Sequence, residues 1–143
     1  MLKKSTNVKD VSLHFPATFA EIRAVLSQLI NSPITAGLSE SRLRDLELVL
    51  AEALNNVAEH AYAQMPGGEV RVSVTRQADH LGIAIRDHGV PMPVQRPQIP
   101  APGDNGTSEG GRGWLLINAL CRRVSYERLA GTNRLTLEFL SSG

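Results

Sequence analysis

Cysteine is almost missing from this chain: Cys121 is the only one in 143 residues. One thiol excludes an internal disulfide and a cysteine-built zinc cluster, and it suits a reducing compartment. The four histidines, at positions 14, 60, 80 and 88, have no metal-site spacing. Net charge is lacking too. Fifteen Lys and Arg against 14 Asp and Glu leave +1, which argues against a polybasic nucleic-acid binder and against an acidic disordered tail. No apolar run approaches the ~20 residues that span a bilayer. The opening MLKKSTNVKD has no apolar core of a secretory signal. The expectation is a soluble cytoplasmic chain with no direct contact to membrane or nucleic acid. Familiar phosphate-binding signatures are also absent. There is no GxxxxGK[ST], no GxGxxG after a first strand, and no His-Arg-Asp or Asp-Phe-Gly of the protein kinases.

What is present is ordinary globular material, 42% hydrophobic and 20% charged, at a length that suits one domain over residues 1–143. Alternation of Val11, Leu13 and Phe15 predicts a strand over 8–15 that Pro16 ends. Thr18 and Glu21 fit a capping box for a first helix reaching about Asn31. Pro33 and Gly37 mark a connector, and Ser39 is the N-cap of a second helix running to about Gln64. Val70, Val72 and Val74, then Leu81, Ile83 and Ile85, predict a hairpin turning at Ala78–His80. Residues 88–112, with prolines at 91, 93, 97, 100 and 102, predict a lid loop. A third helix is expected at 113–122. Two strands follow, around Val124–Leu129 and Leu135–Phe139, joined by a turn at Ala130–Asn133. The order β-α-α-β-β-lid-α-β-β implies a two-layer α/β sandwich of the α+β type. Its sheet is mixed but mostly antiparallel, has about five strands, and carries three helices on one face. The other face is left to water or a partner. No internal repeat or second domain is visible.

The second helix organises the rest. Leu43, Leu46, Leu50, Ala53, Leu54, Val57 and Ala61 form its apolar stripe. Glu52, Asn56 and His60, at i, i+4 and i+8, share a narrow face roughly opposite, with Leu48 and Val49 flanking it. A solvated outer face is the ordinary explanation. Two successive Asn in a helix interior weigh against it, because the amide competes for backbone hydrogen bonds. Two more segments stand out: Arg86-Asp87-His88-Gly89-Val90-Pro91 at a strand end, and Glu109-Gly110-Gly111-Arg112-Gly113-Trp114 where the lid becomes a helix. Alone, each reads as turn chemistry or a core anchor.

Together, in this order, the segments resemble the nucleotide-binding boxes of the GHKL ATPase/kinase superfamily, which has the Bergerat fold. The closer resemblance is to the free-standing anti-sigma-factor serine/threonine kinases of bacteria. Their Glu-x-x-x-Asn-x-x-x-His-Ala-Tyr appears as Glu52, Asn56, His60, Ala61 and Tyr62. Their Asp-x-Gly-x-Pro appears as Asp87, Gly89 and Pro91, and their Gly-Gly-Arg-Gly as Gly110 to Gly113. A Gly-Thr turn before the last strand is present as Gly131-Thr132.

The resemblance implies ATP and Mg²⁺ as cofactors. It makes Glu52 the general base for an attacking serine hydroxyl and Asn56 an oxygen ligand to the metal. Asp87 would accept from the adenine amino group, with Thr132 supporting the same base edge and Gly89 allowing close approach to the base. Gly111 and Gly113 would let lid amides face the phosphates, beside the dipole of the third helix, and Arg112 would pair with phosphate or with a lid carboxylate. His60 reads as a structural histidine. The partners implied are an anti-sigma-factor antagonist, a sigma factor or equivalent regulator, and a second copy in a homodimer. Arg122-Arg123 stands where the family often has an acidic pair, which points to a different partner surface. Two other readings stay open. One is an ATP-binding clamp without phosphotransfer; the other is a free-standing histidine-kinase-type catalytic domain.

Overall fold

The structure, a computed structural model, describes residues 3–6, 9–92 and 109–142, with the backbone alone for Lys3–Thr6 and Glu109–Arg112. Most of the expected lid, residues 93–108, lies outside the described residues.

Two strands open the chain, β1 (Lys3–Thr6) and β2 (Asp10–Pro16). Helix α1 (Phe19–Ile30) starts at Thr18, whose Oγ1 accepts from the Glu21 amide at 3.2 Å. A short 3₁₀ turn at Pro33–Thr35 leads to α2 (Glu40–Asn56), capped by Ser39 Oγ accepting from the Arg42 amide. A π-helical turn, Val57–Ala61, extends α2. The hairpin of β3 (Glu69–Arg76) and β4 (His80–Asp87) follows, then α3 (Glu109–Leu120), β5 (Arg123–Leu129) and β6 (Thr132–Leu140). Ala130 and Gly131 join the last two strands with φ of 53° and 80°. Both central residues are left-handed, as a two-residue hairpin turn that matches strand twist requires.

Among the described residues the sheet has six strands, in the order β1-β2-β3-β4-β6-β5, and every pair is antiparallel. The expected sheet of about five, mostly antiparallel strands is thus found, with one strand more and each described pair antiparallel. The added strand is Lys3-Lys4-Ser5-Thr6 at the edge of the sheet, whose sequence has no apolar alternation to mark it. The two-layer arrangement holds. Val11, Leu13, Phe15, Val72, Ile83, Leu137 and Phe139 on one sheet face meet Ile22, Val25, Leu29, Leu46, Leu50 and Leu54 from α1 and α2 in one buried cluster. Each such side chain contributes about 1.5–3 kcal/mol through burial. Val49, expected beside the polar face, is fully buried in that core, whereas Leu48 is exposed.

Arg42 ties the start of α2 to the end of β6. Its Nε and Nη2 donate to the Leu140 carbonyl at 3.2 and 2.7 Å, and its guanidinium lies 4.1 Å from the Phe139 ring centroid. Burial pushes the Cys121 thiol up to about 12, so this cysteine stays protonated and packs as a small apolar group. Among the described residues, no helix is long and apolar enough to cross a membrane.

Candidate functional site

The end of α2 and the ends of β4 and β6 enclose a cleft of about 240 Å³. Ala53, Val57, Ile85, Trp114 and Leu135 supply its apolar walls, and Asn56, His60, Asp87, Tyr126 and Asn133 its polar groups. A mostly apolar concavity with a few fixed polar groups is the usual form of a small-ligand site.

Asp87 sits at the last position of β4 and is 5% exposed. Its Oδ1 accepts from the Gly89 amide at 2.9 Å and from Asn133 Nδ2 at 2.8 Å. Burial raises its pKa, opposed by those two hydrogen bonds and by the nearby His88 and Arg128. Asn133 is a hub. Its Oδ1 accepts from Tyr126 Oη at 2.7 Å and Arg128 Nη1 at 2.8 Å, and its amide also donates to the Val90 carbonyl at 2.9 Å. Arg128 reaches the Gly89 carbonyl, and Tyr126 Oη accepts from the Met92 amide. The strand ends therefore fix the chain from His88 to Met92 through side chains, in place of a backbone ladder.

Gly89 is required by the chain itself. A Cβ there would lie 2.1 Å from the Ala61 carbonyl oxygen, and the neighbouring Val90 amide donates to that oxygen at 2.9 Å. The expected close approach at Gly89 is thus an approach to the π-helical turn. That turn is closed by Tyr62 N donating to the Val57 carbonyl at 3.0 Å. The buried Tyr62 phenol then donates to the Glu69 carbonyl and accepts from the His88 amide. The five-residue turn shifts His60 out of phase with Glu52 and Asn56. His60, which the sequence suggests is a structural histidine, is exposed on the cleft wall, with no hydrogen-bond partner among the described residues.

Helix α3 meets α2 through Gly113. A Cβ at that position would lie 2.8 Å from Glu52 Oε2 and 3.8 Å from Asn56 Nδ2. The missing side chain is what lets the helices close around the carboxylate and the amide. The Asn56 amide nitrogen is buried and has no hydrogen-bond partner among the described residues, which in a native structure needs an explanation. Because α3 begins at Glu109 and not near Gly113, the Gly113 amide falls within the helical ladder. This corrects its expected role as a free phosphate-facing donor. Gly111 and Arg112 lie in the first turn of α3, and their surroundings lie outside the described residues.

Thr132 is not brought to the cleft. Its Oγ1 pairs with His88 Nδ1 at 3.2 Å on the opposite face of the sheet. Register explains this: Asn133 lies opposite Asp87, in phase with the buried Leu135, Leu137 and Phe139, so Thr132 points away. The same alternation, counted back from Leu135, identifies Asn133 from sequence. Tyr126 and Arg128 carry no comparable signal, since they reach the site only through the β5–β6 pairing.

The family model of the histidine kinase-like ATPase domain matches residues 15–139. The serine-protein kinase RsbW of Bacillus licheniformis is 30% identical over 127 residues, covering 84% of this chain and 77% of that protein. RsbW of Bacillus velezensis is 25% identical over 143 residues, covering 96% and 89%. Among solved structures, the RsbU and RsbW domains of a Mycobacterium tuberculosis protein superpose with a TM-score of 0.62 at 22% identity, over 90% of this chain and 32% of that longer one. The SiaB–SiaC complex of Pseudomonas aeruginosa gives 0.63 at 15% identity, over 90% and 88%. The cleft between α2 and the ends of β4 and β6 is therefore set in a known frame, and the chain belongs to the histidine kinase-like ATPase domain family, with the RsbW serine-protein kinases among its relatives.

Proposed function

We propose that this chain is an ATP-dependent serine kinase of a partner-switching module, which phosphorylates a small anti-sigma-factor antagonist and holds a sigma factor or equivalent regulator. The observation that carries the reading is the meeting of Glu52 and Asn56 with Gly113 beside a cleft that contains the buried Asp87. Asp87, fixed on Oδ1 by Asn133 and Gly89, presents its other oxygen as an acceptor for the adenine amino group. Guanine, with a carbonyl at that edge, is disfavoured. Ile85, Val57 and Leu135 flank the base, and Asn133 takes the supporting place first expected of Thr132.

The residues present fit a magnesium ion. Asn56 ends on the cleft wall in a buried amide nitrogen with no partner among the described residues, and a half-turn of that group presents oxygen in place of nitrogen. Bound there with the phosphates, Mg²⁺ would offset the charge on their oxygens. Glu52 takes the serine hydroxyl proton as that oxygen bonds to the γ-phosphorus and the bond to the ADP oxygen breaks. The homodimer implied by the resemblance would use α1, where Phe19 is exposed.

The test is phosphoryl transfer from labelled Mg-ATP to candidate antagonist proteins, with serine mapped as the acceptor. Transfer supports the kinase reading. Tight ATP binding with transfer to none of them supports a nucleotide-regulated clamp instead.

A further inference from the structure

One register row joins the strand at the sheet's edge to the cleft. Arg128 on β5 lies opposite Asn133 on β6, and Asn133 lies opposite Asp87 on β4. Asn133 and Asp87 are buried, whereas Arg128 is exposed on the outermost strand. The three side chains are hydrogen-bonded in series. Arg128 Nη1 donates to Asn133 Oδ1 at 2.8 Å, and Asn133 Nδ2 donates to Asp87 Oδ1 at 2.8 Å.

A carboxamide has an accepting end and a donating end, and it can be turned end for end. Here both neighbours oppose the turn. The Arg128 guanidinium can only donate, and an ionised Asp87 can only accept. Turning Asn133 would set N–H groups against the guanidinium and an oxygen against the carboxylate. Tyr126 is a weaker constraint: its hydroxyl donates to Asn133 Oδ1 at 2.7 Å, but a hydroxyl can equally accept. The Asn133 amide also donates to the Val90 carbonyl at 2.9 Å, so two donors meet its oxygen and two acceptors its nitrogen.

We propose, on the premise that the cleft is the adenine site described above, that Arg128 is the positioning residue that makes this site select an amino group over a carbonyl. It acts through Asn133. By fixing the polarity of the row it keeps a donor on Asp87 Oδ1, beside the Gly89 amide, and leaves Oδ2 as the acceptor for the base. Its charge works in the same direction. Burial favours the proton on Asp87, and Arg128 and His88 oppose it. The other titratable groups packed around Asp87 are Tyr126 and His60 on the cleft wall and Tyr62, whose phenol accepts from the His88 amide. Without Arg128, the Asn133 amide is free to turn and Asp87 is drawn toward its protonated form. A proton on Asp87 sits on Oδ2 while Oδ1 accepts from Gly89, so the base then meets a donor. A carbonyl is tolerated where an amino group was required.

The experiment is equilibrium binding of ATP and of inosine triphosphate to the full chain in Mg²⁺. Inosine triphosphate carries a carbonyl where ATP carries its amino group and, unlike GTP, adds no second amino group. The wild type should favour ATP at least about 100-fold. R128M should narrow that preference at least about tenfold, and R128K, which keeps a charge and a donor, should restore most of it. R128Q covers the case in which R128M does not fold, because its amide can turn either end to Asn133 and narrows the preference as well. Y126F should weaken both nucleotides alike and hold the preference within about threefold, since Arg128 still fixes the amide. The proposal is overturned if R128M and R128Q lower both affinities in step, because Arg128 would then only brace the Gly89 carbonyl, which it also meets at 2.9 Å. It is also overturned if R128K is no better than R128M, or if Y126F narrows the preference as far as R128M does. In each of these outcomes the wild-type preference leaves the adenine site standing. A wild type with no preference for ATP overturns the adenine site and the role of Arg128 together.

Discussion

Asn133 faces Asp87 across the β4–β6 pair and donates to its Oδ1 at 2.8 Å, with both side chains buried. One carboxylate oxygen is thereby fixed in direction at the cleft. The arrangement has a thermodynamic cost, since burial raises the Asp87 pKa. The folded state then holds the proton more tightly than the unfolded chain, whose value is about 3.9. Stability from this group is fully present below that value and is lost as pH rises through the folded value. Asp87→Asn keeps an acceptor for Gly89 and Asn133 without the ionisation. It should be at least as stable as the wild type near neutral pH, with the advantage vanishing below about pH 4, and it should lose ATP binding because a donor now faces the adenine amino group. Thermal melts across pH check this, and a variant less stable at every pH would contradict it.

Glu52→Ala should leave Mg-ATP affinity within about twofold while transfer falls about 10²–10⁴-fold. Single-turnover transfer and equilibrium binding separate the two effects. Unchanged transfer removes Glu52 from the role of base.

Asn56→Ala should weaken ATP binding roughly tenfold or more when Mg²⁺ is present and little in EDTA. Equal losses in both buffers would mean that the amide serves the nucleotide or the fold rather than the metal.

The two cleft glycines should fail differently. At Gly89 an added Cβ meets backbone, the Ala61 carbonyl at 2.1 Å, so Gly89→Ala should cost about 1–3 kcal/mol in urea unfolding. At Gly113 the obstacle is Glu52 Oε2, the end of a flexible side chain, at 2.8 Å. Gly113→Ala should therefore cost under about 1 kcal/mol yet displace the carboxylate and slow transfer. The reverse pattern would contradict the packing described.

Much of this was legible in the sequence, because the helix stripe and the strand alternation carry the two-layer fold directly. Thr18, Ser39 and the valines of β3 mark their elements as expected. Asp87 and Asn56 were found through motif spacing, and the structure places both on the cleft. The failures have physical causes. Lys3–Thr6 pairs through its backbone and has no apolar period to detect. The π-helical turn at Val57–Ala61 follows from how Tyr62 is anchored to Glu69 and His88, contacts that are distant in sequence. Thr132 was favoured by its motif, but a side chain on a strand obeys the pairing register, and that register delivers Asn133.

The most direct test is titration calorimetry of the unmodified chain with ATP and with GTP, each in Mg²⁺. The account predicts saturable binding of ATP and no measurable binding of GTP. Equal affinity for the two, or no binding of either, would contradict an adenine site built on Asp87.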